Sequence, residues 1–387
     1  MSAELIASVI AQGERLATHS WEYGTFAEAL LEWYDPSSAV FGADPFPGGK
    51  IPVLQVNQTR SLAYAEPHIS TNSTTLVDGD GAAGDPASLG VSAILIGQTD
   101  DTFLAAAERQ VQHLLDDVPR WANGAISHRE SVAELWADFV YMAPPTLAYW
   151  AVQTGDADLL ATAVQQCLLY RDVLGVEPQD EDDSAAAAAG LWHHIIGPES
   201  QDLGIWSTGN AWAAAGMARV LATARRAPEP GLSGSSAETD GELLPMLEGA
   251  IRAILDGAIA LDDAEPAEPL LRNYLNDTTW FGELSGTTLL AATAYRMAVL
   301  APAAFGAEAG EGEGEGAGYV AWADAKRREI TGRIGSDGLL YPVVNPLDWS
   351  DRTPAAESPE AQSFAVLLFA AYRDYCQGSS DGCEIEF

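Results

Sequence analysis

The stretch Phe103-Leu-Ala-Ala-Ala-Glu-Arg-Gln-Val-Gln-His-Leu-Leu115 sets the pattern of the chain. Phe103, Leu104, Ala107, Val111, Leu114 and Leu115 fall on one stripe at the three- and four-residue spacing of an α-helix. The pattern recurs in both directions. Leu5, Ile6, Val9, Ile10, Leu16 and Ala17 form a stripe near the start, and Leu159, Leu160, Ala163, Val164, Cys167 and Leu168 form another after the Gly155 break. The same spacing predicts helices at about 209–225, 243–260, 284–300, 319–333 and 358–375. Thr25 with Glu28 and Ser131 with Glu134 read as capping boxes, each opening a helix. Pro144 and Pro145 should end or kink the second of these. Short strand-like pieces occur at Ile51–Val56 and Leu339–Val344.

Between the stripes lie acidic or Gly-rich segments: Gln179–Asp183, Ala227–Gly241 and Gly306–Gly318. They read as solvated surface insertions, so one domain over 1–387 is expected, with insertions near 227–241 and 306–318. Eleven to thirteen helices in 387 residues point to an all-α fold whose paired helices close into an inner and an outer ring. An open α-solenoid is the rival, weakened by the lack of a clean repeat.

The 56 acids and 19 bases leave a net charge of −37, which argues against nucleic acid and anionic membranes. No apolar run is long enough to span a bilayer, and Met1–Gln12 reads as an amphipathic helix, not a secretion signal. A cytoplasmic monomer is expected. Cys167 sits in a helical stripe as a buried thiol, and Cys376 and Cys383 are near enough in sequence to pair. Sequons at Asn57, Asn72 and Asn276 matter only in a secreted protein.

Asp138 is the sharpest chemical signal. It stands in Glu134-Leu-Trp-Ala-Asp-Phe-Val-Tyr-Met142, placed midway along an apolar helical segment beside Trp136, Phe139 and Met142. Desolvation disfavours an ionised carboxylate, so such an acid is able to donate a proton near neutral pH. A capped or ion-paired structural aspartate is the bland alternative. Further polar clusters lie at helix ends: Gly124–Arg129, Gly190–His194, Trp206–Trp212, Glu283–Thr287 and Asp337–Tyr341. In a closed ring these ends meet at one mouth and form an aromatic-lined pocket. The 11 Trp and 12 Tyr suit stacking on sugars, or simply filling a core. His193 and His194 are adjacent and no HExxH occurs, so a catalytic zinc is not expected. A GxSxG elbow and a phosphate loop are also missing.

Taken in order, Trp136-Ala-Asp138 with Tyr141-Met142, Gly190-Leu-Trp-His-His194, Trp206-x-x-Gly-Asn-x-Trp212, Glu283-x-Ser-Gly-Thr287 and Asp337-Gly-Leu resemble the unsaturated rhamnogalacturonyl hydrolases of glycoside hydrolase family 105. The unsaturated glucuronyl hydrolases are a neighbouring family. The resemblance spans roughly residues 15–375. It implies an (α/α)6 barrel of six helical hairpins and an oligosaccharide substrate, with no cofactor or metal. It also implies hydration of the C4=C5 double bond that polysaccharide lyases leave on a terminal uronate, with one aspartate as acid and then base. Asp138 matches that aspartate, and Asp85 is the best match for a second family acid, with a helix cap as its alternative. His128 and His194 match pocket positions, while Trp206 and Trp212 are candidates for stacking. Arg129, Asn210 and Glu283 complete the candidate set with Thr208. The last stands where bacterial family members carry a substrate-binding arginine, so Arg129 or Arg272 must compensate or the substrate differs. The expected substrate is unsaturated galacturonyl-rhamnose. The alternatives are a glucuronate-type product and a non-catalytic carbohydrate-binding toroid.

Overall fold

A computed structural model describes residues 3–176, 188–228, 231–235, 240–306 and 318–378, together with Cys383. Its first half builds α1 (Ala3–Leu16), α2 (Ser20–Tyr34), α3 (Arg60–Ala65), α4 (Gly90–Gly97), α5 (Asp101–Asp116), α6 (Phe139–Met142), α7 (Pro144–Thr154) and α8 (Ala157–Leu174). The second half adds α9 (Ser207–Arg226), α10 (Asp240–Ala264), α11 (Leu284–Leu300), α12 (Pro302–Phe305), α13 (Tyr319–Gly332) and α14 (Pro359–Gly378). Helices α2, α4, α7, α9, α11 and α14 pack side by side in that order, and α14 closes on α2. Outside them lie α1, α3, α5, α8, α10 and α13, each against an inner partner. The result is an (α/α)6 barrel.

Residue character explains the two layers. Helix α5 buries Phe103, Ala106, Ala107, Gln110, Val111 and Leu114 and leaves its other side to solvent, as an outer helix must. In α9 every residue from Ser207 to Ala224 is buried. A helix enclosed on all sides needs small residues where neighbours cross. At Gly216 an added Cβ would stand 2.3 Å from the Val140 carbonyl oxygen, so only glycine lets the chain before α7 pass.

Because inner and outer helices alternate, the inner ones run in one direction. Their starts gather at one end, where Trp21, Asp138, Trp206 and Glu360 line a common cavity. At the other end a buried ion network ties the ring together. Arg219 on α9 reaches Glu28 at 2.7 Å and Glu32 at 2.5 Å on α2. Arg296 on α11 reaches Glu32 and Asp374 on α14, each at 2.6 Å. Removing one member would strand a buried charge, at a cost of roughly 3–5 kcal/mol.

The helices expected at 209–225, 243–260, 284–300, 319–333 and 358–375 are all present. Cys167 is buried, and Cys376 and Cys383 form a disulfide. Several local expectations fail. Thr25 lies inside α2, whose capping box is His19 with Glu22. Ser131 opens no helix, because the chain from there is drawn into β1 (Leu135–Trp136), paired antiparallel with β2 (Ile195–Ile196). Asp138 therefore stands at the start of the short α6, without a side-chain capping bond, instead of mid-helix. Pro144 does break the segment, as the first residue of α7. Residues 51–55 form no strand and Val56–Gln58 is a 3-10 turn, while Leu340 and Val343 make only isolated bridges. Of the expected surface insertions, 229–230, 236–239 and 307–317 lie outside the described residues, as does Gln179–Asp183 with its surroundings at 177–187.

Candidate active site

The two-residue sheet decides the geometry of the site. Leu135 pairs with Ile196 and Trp136 with Ile195, and Ala137 N–H donates to the His194 carbonyl. This ladder brings Asp138 opposite His194 across more than fifty residues of chain. A second short ladder joins Ile195 to Asp202, while His194 N–H donates to the Gly204 carbonyl. The two ladders bracket the imidazole with carboxylates. His194 Nδ1 lies 3.0 Å from Asp202 Oδ2, a hydrogen bond, and Nε2 faces Asp138 Oδ2 at 3.5 Å, an ion-pair separation too long for a good one. Asp202 is itself held by the Tyr274 hydroxyl and by Gly204 N–H. A side chain at 204 would collide with the Tyr274 ring, since its Cβ would come within 2.1 Å.

The second acid arrives on the 3-10 turn Asp85–Leu89, which leads into α4. Ala83 N–H donates to the His128 carbonyl, and His128 N–H to the Glu134 carbonyl, so the turn is bound to the strand that precedes Asp138. His128 Nε2 stands 3.8 Å from Asp85 Oδ1, and the ring stacks on Trp136. Glu134 supports this from behind by accepting from the N–H groups of Glu199 and Ser200 and from the Trp136 indole.

These groups line a cavity of about 170 Å³. Its acids are Asp80, Asp85, Asp138 and Glu360, its bases His128, Arg129 and His194, and its indoles Trp21, Trp136, Trp206 and Trp349. Burial, reinforced by the Asp138 charge and opposed by Arg129, pushes Asp85 up to about 8, so it holds a proton at neutral pH. Burial likewise drives His128 down to about 4 and leaves it neutral. Burial would lower His194 too, but its carboxylate neighbours Asp138 and Asp202 outweigh burial and raise it. Asp202 is partly buried, which would raise it, yet His194, Tyr274 and Gly204 N–H together bring it down to about 2. Burial and then Asp138 hold Glu360 well above the usual carboxylate range. Arg129 is half-buried over the Trp136 ring, and among the described residues no carboxylate forms an ion pair with it.

Of the residues singled out from the sequence, Asp138, Asp85, His128, Arg129, His194 and Trp206 meet at this one cavity. Thr208, Asn210, Trp212 and Glu283 do not line it. Asn210 bonds to both backbone groups of Trp192 and to the Trp206 carbonyl. Glu283 caps α11 and accepts from Ser207 Oγ at 2.7 Å. Trp212 packs between Tyr141 and Phe364, and Thr208 is fully buried. Arg272, considered as a substitute cation, is paired with Glu265 and Glu268 away from the cavity. Sequence reading missed Asp202, Trp349 and Glu360. Asp202 looks like one more loop acid, and Glu360 like an ordinary acid in the first turn of a helix.

Residues 63–230 match the model of Glycosyl Hydrolase Family 88. That stretch holds Asp85, His128, Arg129, Asp138, His194, Asp202 and Trp206. The fold is also that of several solved structures. A possible member of family GH105 from Salmonella enterica subsp. enterica serovar Paratyphi A superposes with TM-score 0.66 at 17% identity, covering 96% of this chain and 93% of the other. A family 105 glycoside hydrolase from C. acetobutylicum gives 0.65 at 13% identity, covering 96% and 99%. The unsaturated glucuronyl hydrolase of Bacillus sp. GL1, described as responsible for glycosaminoglycan degradation, gives 0.60 at 13% identity, covering 96% of each chain. No curated protein sequence matches the chain. The stretch that bears the site is thus similar to that family, in line with the resemblance seen in the motifs, and the fold of the whole chain is that of these solved structures. Among the described residues no helix is long and apolar enough to cross a membrane, and no three His, Cys, Asp or Glu side chains cluster to hold a metal ion.

Proposed function

We propose that this chain hydrates the C4=C5 double bond of an unsaturated uronyl oligosaccharide, with unsaturated galacturonyl-rhamnose as the preferred substrate. The observation that carries this reading is the pair of carboxyl groups in one aromatic cavity, Asp138, whose Oδ2 has no hydrogen-bond partner, and Asp85 with a retained proton. Acid–base work on an enol ether needs one proton that is given and then recovered, and coupled acids share such a proton as a unit. Asp138 delivers it to C4 of the sugar. Positive charge then develops at C5 and the ring oxygen, and water adds to C5 as Asp138 takes a proton from it. The hemiketal opens, C1 becomes a hemiacetal, and the next sugar leaves.

His194 sits beside Asp138 in an orientation set by Asp202, and its positive charge steadies the carboxylate that remains after proton delivery. Arg129, without an ion pair among the described residues, is the cation for the uronate carboxylate, in the role that Thr208 cannot fill. The indoles of Trp136, Trp206 and Trp349 supply apolar walls for a sugar ring. A glucuronate-type product is the second reading, favoured by the replacement of the family arginine with Thr208.

Loss of the conjugated ultraviolet absorbance tests both readings. Rhamnogalacturonan-lyase and glycosaminoglycan-lyase digests are compared as substrates. Faster loss with the former is expected, and faster loss with the latter would select the second reading. No loss with either, from folded protein, refutes hydration.

A further inference from the structure

Glu360 has no task in the fold that would offset its burial. It is only 3% exposed and stands at the second position of α14, yet the helix start is capped by Ser358. The Ser358 hydroxyl accepts from Ala361 N–H and its carbonyl from Gln362 N–H. One carboxyl oxygen of Glu360 accepts from the Trp21 indole at 2.9 Å. The other, Oε2, is buried without a hydrogen-bond partner, and the residue lines the cavity. A bare buried oxygen is unfavourable, and a ligand that bonds to it would remove that cost.

We propose that Glu360 is a substrate contact whose carboxyl group donates a hydrogen bond from Oε2 to the carboxylate of the bound uronate. This rests on the hydration reading above.

Geometry favours the donor form. Among the described residues no basic side chain pairs with Glu360. The charges that act on it most are acids, Asp138 across the cavity, Glu22 from α2 and Glu283 at the start of α11, while His128, Arg129 and His194 line the same cavity without an ion pair to it. On α1, Arg15 is engaged by Glu357 instead. Burial and the Asp138 charge raise the group well above the usual carboxylate range, against the lowering effect of the Trp21 indole that donates to it. An ionised Glu360 would repel a uronate, whereas a neutral one offers an O–H to it. Hydrogen bonds onto an ionised acceptor are about twice as strong as neutral ones.

Glu360→Leu and Glu360→Gln in the full chain test this contact. The Leu variant should raise KM for the unsaturated disaccharide about 10–100-fold, the span of a hydrogen bond to a charged group, with kcat changed far less. The C6 methyl ester of the same disaccharide lacks the charged acceptor, so its KM should barely respond to the Leu change. The Gln variant keeps a donor and does not titrate. Its KM should stay near wild type at neutral pH and stay flat where the wild-type KM climbs with alkali. An unchanged KM in the Leu variant overturns the contact, and so does an equal loss for acid and ester. If the Leu variant does not fold, a Gln variant whose KM climbs as steeply as wild type overturns it. Wild-type protein without turnover fells the hydration reading, and this contact with it. Turnover with an indifferent Glu360 fells the contact alone.

Discussion

Replacing Asp202 with Asn removes the charge and the bond that Oδ1 accepts from Gly204 N–H, while the amide oxygen still accepts from His194 Nδ1 and the Tyr274 hydroxyl. The carboxyl stands about two pH units below its ordinary 3.8, at about 2. At about 1.4 kcal/mol per unit, its partners favour the ionised form by about 2 kcal/mol. The side chain is 21% exposed, so solvent screens only part of this. The group is depressed, so its contribution is present above pH 3.8 and lost as pH falls towards 2. At assay pH the variant loses all of it. Tyr274 and Gly204 N–H hold part of that coupling, so where the rest serves to keep His194 charged against Asp138, kcat/KM falls by up to about 30-fold, since 1.4 kcal/mol is tenfold. The pH profile carries the decisive signature. His194 is raised by two carboxylates against the opposing effect of burial. With one of them gone, its proton leaves at lower pH, and the limb it governs moves to the acid side. The assay is initial velocity of ultraviolet bleaching with an unsaturated disaccharide, alongside a thermal melt. An Asp202→Asn enzyme with wild-type kcat/KM from about pH 5 to about pH 8, the range in which histidine switches, refutes this role for the Asp202–His194–Asp138 chain.

Asp138→Asn should cost about 10²–10⁴-fold in kcat while still binding the disaccharide, as calorimetry on the variant checks. Asp85 is raised from 3.8 to about 8, so folding tightens its hold on a proton and stability declines as pH rises through that window. Asp85→Asn should therefore melt higher than wild type by a margin that widens from about pH 4 to about pH 8, while turnover drops; an equal margin at both ends contradicts the buried proton. Arg129→Ala should raise KM with little change in kcat. In that variant added salt should increase kcat/KM, because only the repulsion of a −37 chain is left to screen.

Helical stripes were legible because each outer helix must present one apolar face, and the ring could be drawn from them. The setting of Asp138 was not. Phe139, Val140 and Met142 look helical locally, but Leu135 and Trp136 take their conformation from Ile195 and Ile196, a partner distant in sequence. The motif around Trp206–Trp212 was recognisable, yet its residues divide. Trp206 faces the cavity, while Asn210 and Trp212 serve the packing behind it. Glu360 and Trp349 carry no spacing signal, and only closure of the ring brings them beside Asp138.

The shared direction of the inner helices also separates two kinds of sequence change. The chain leaves α9 at Arg226 and follows α11 out through α12 to Gly306, both at the end opposite the cavity. Added length in the neighbourhood of 227–241 or 306–318 is therefore attached to the base of the barrel, where it can grow without asking anything of the substrate. Val176, just past the end of α8, donates its N–H to the Leu191 carbonyl, in the segment that leads to His194 on the cavity wall. Lineages that diverge in substrate should accordingly differ in the connections at the mouth, and those that diverge only in surface or partners should differ at the base.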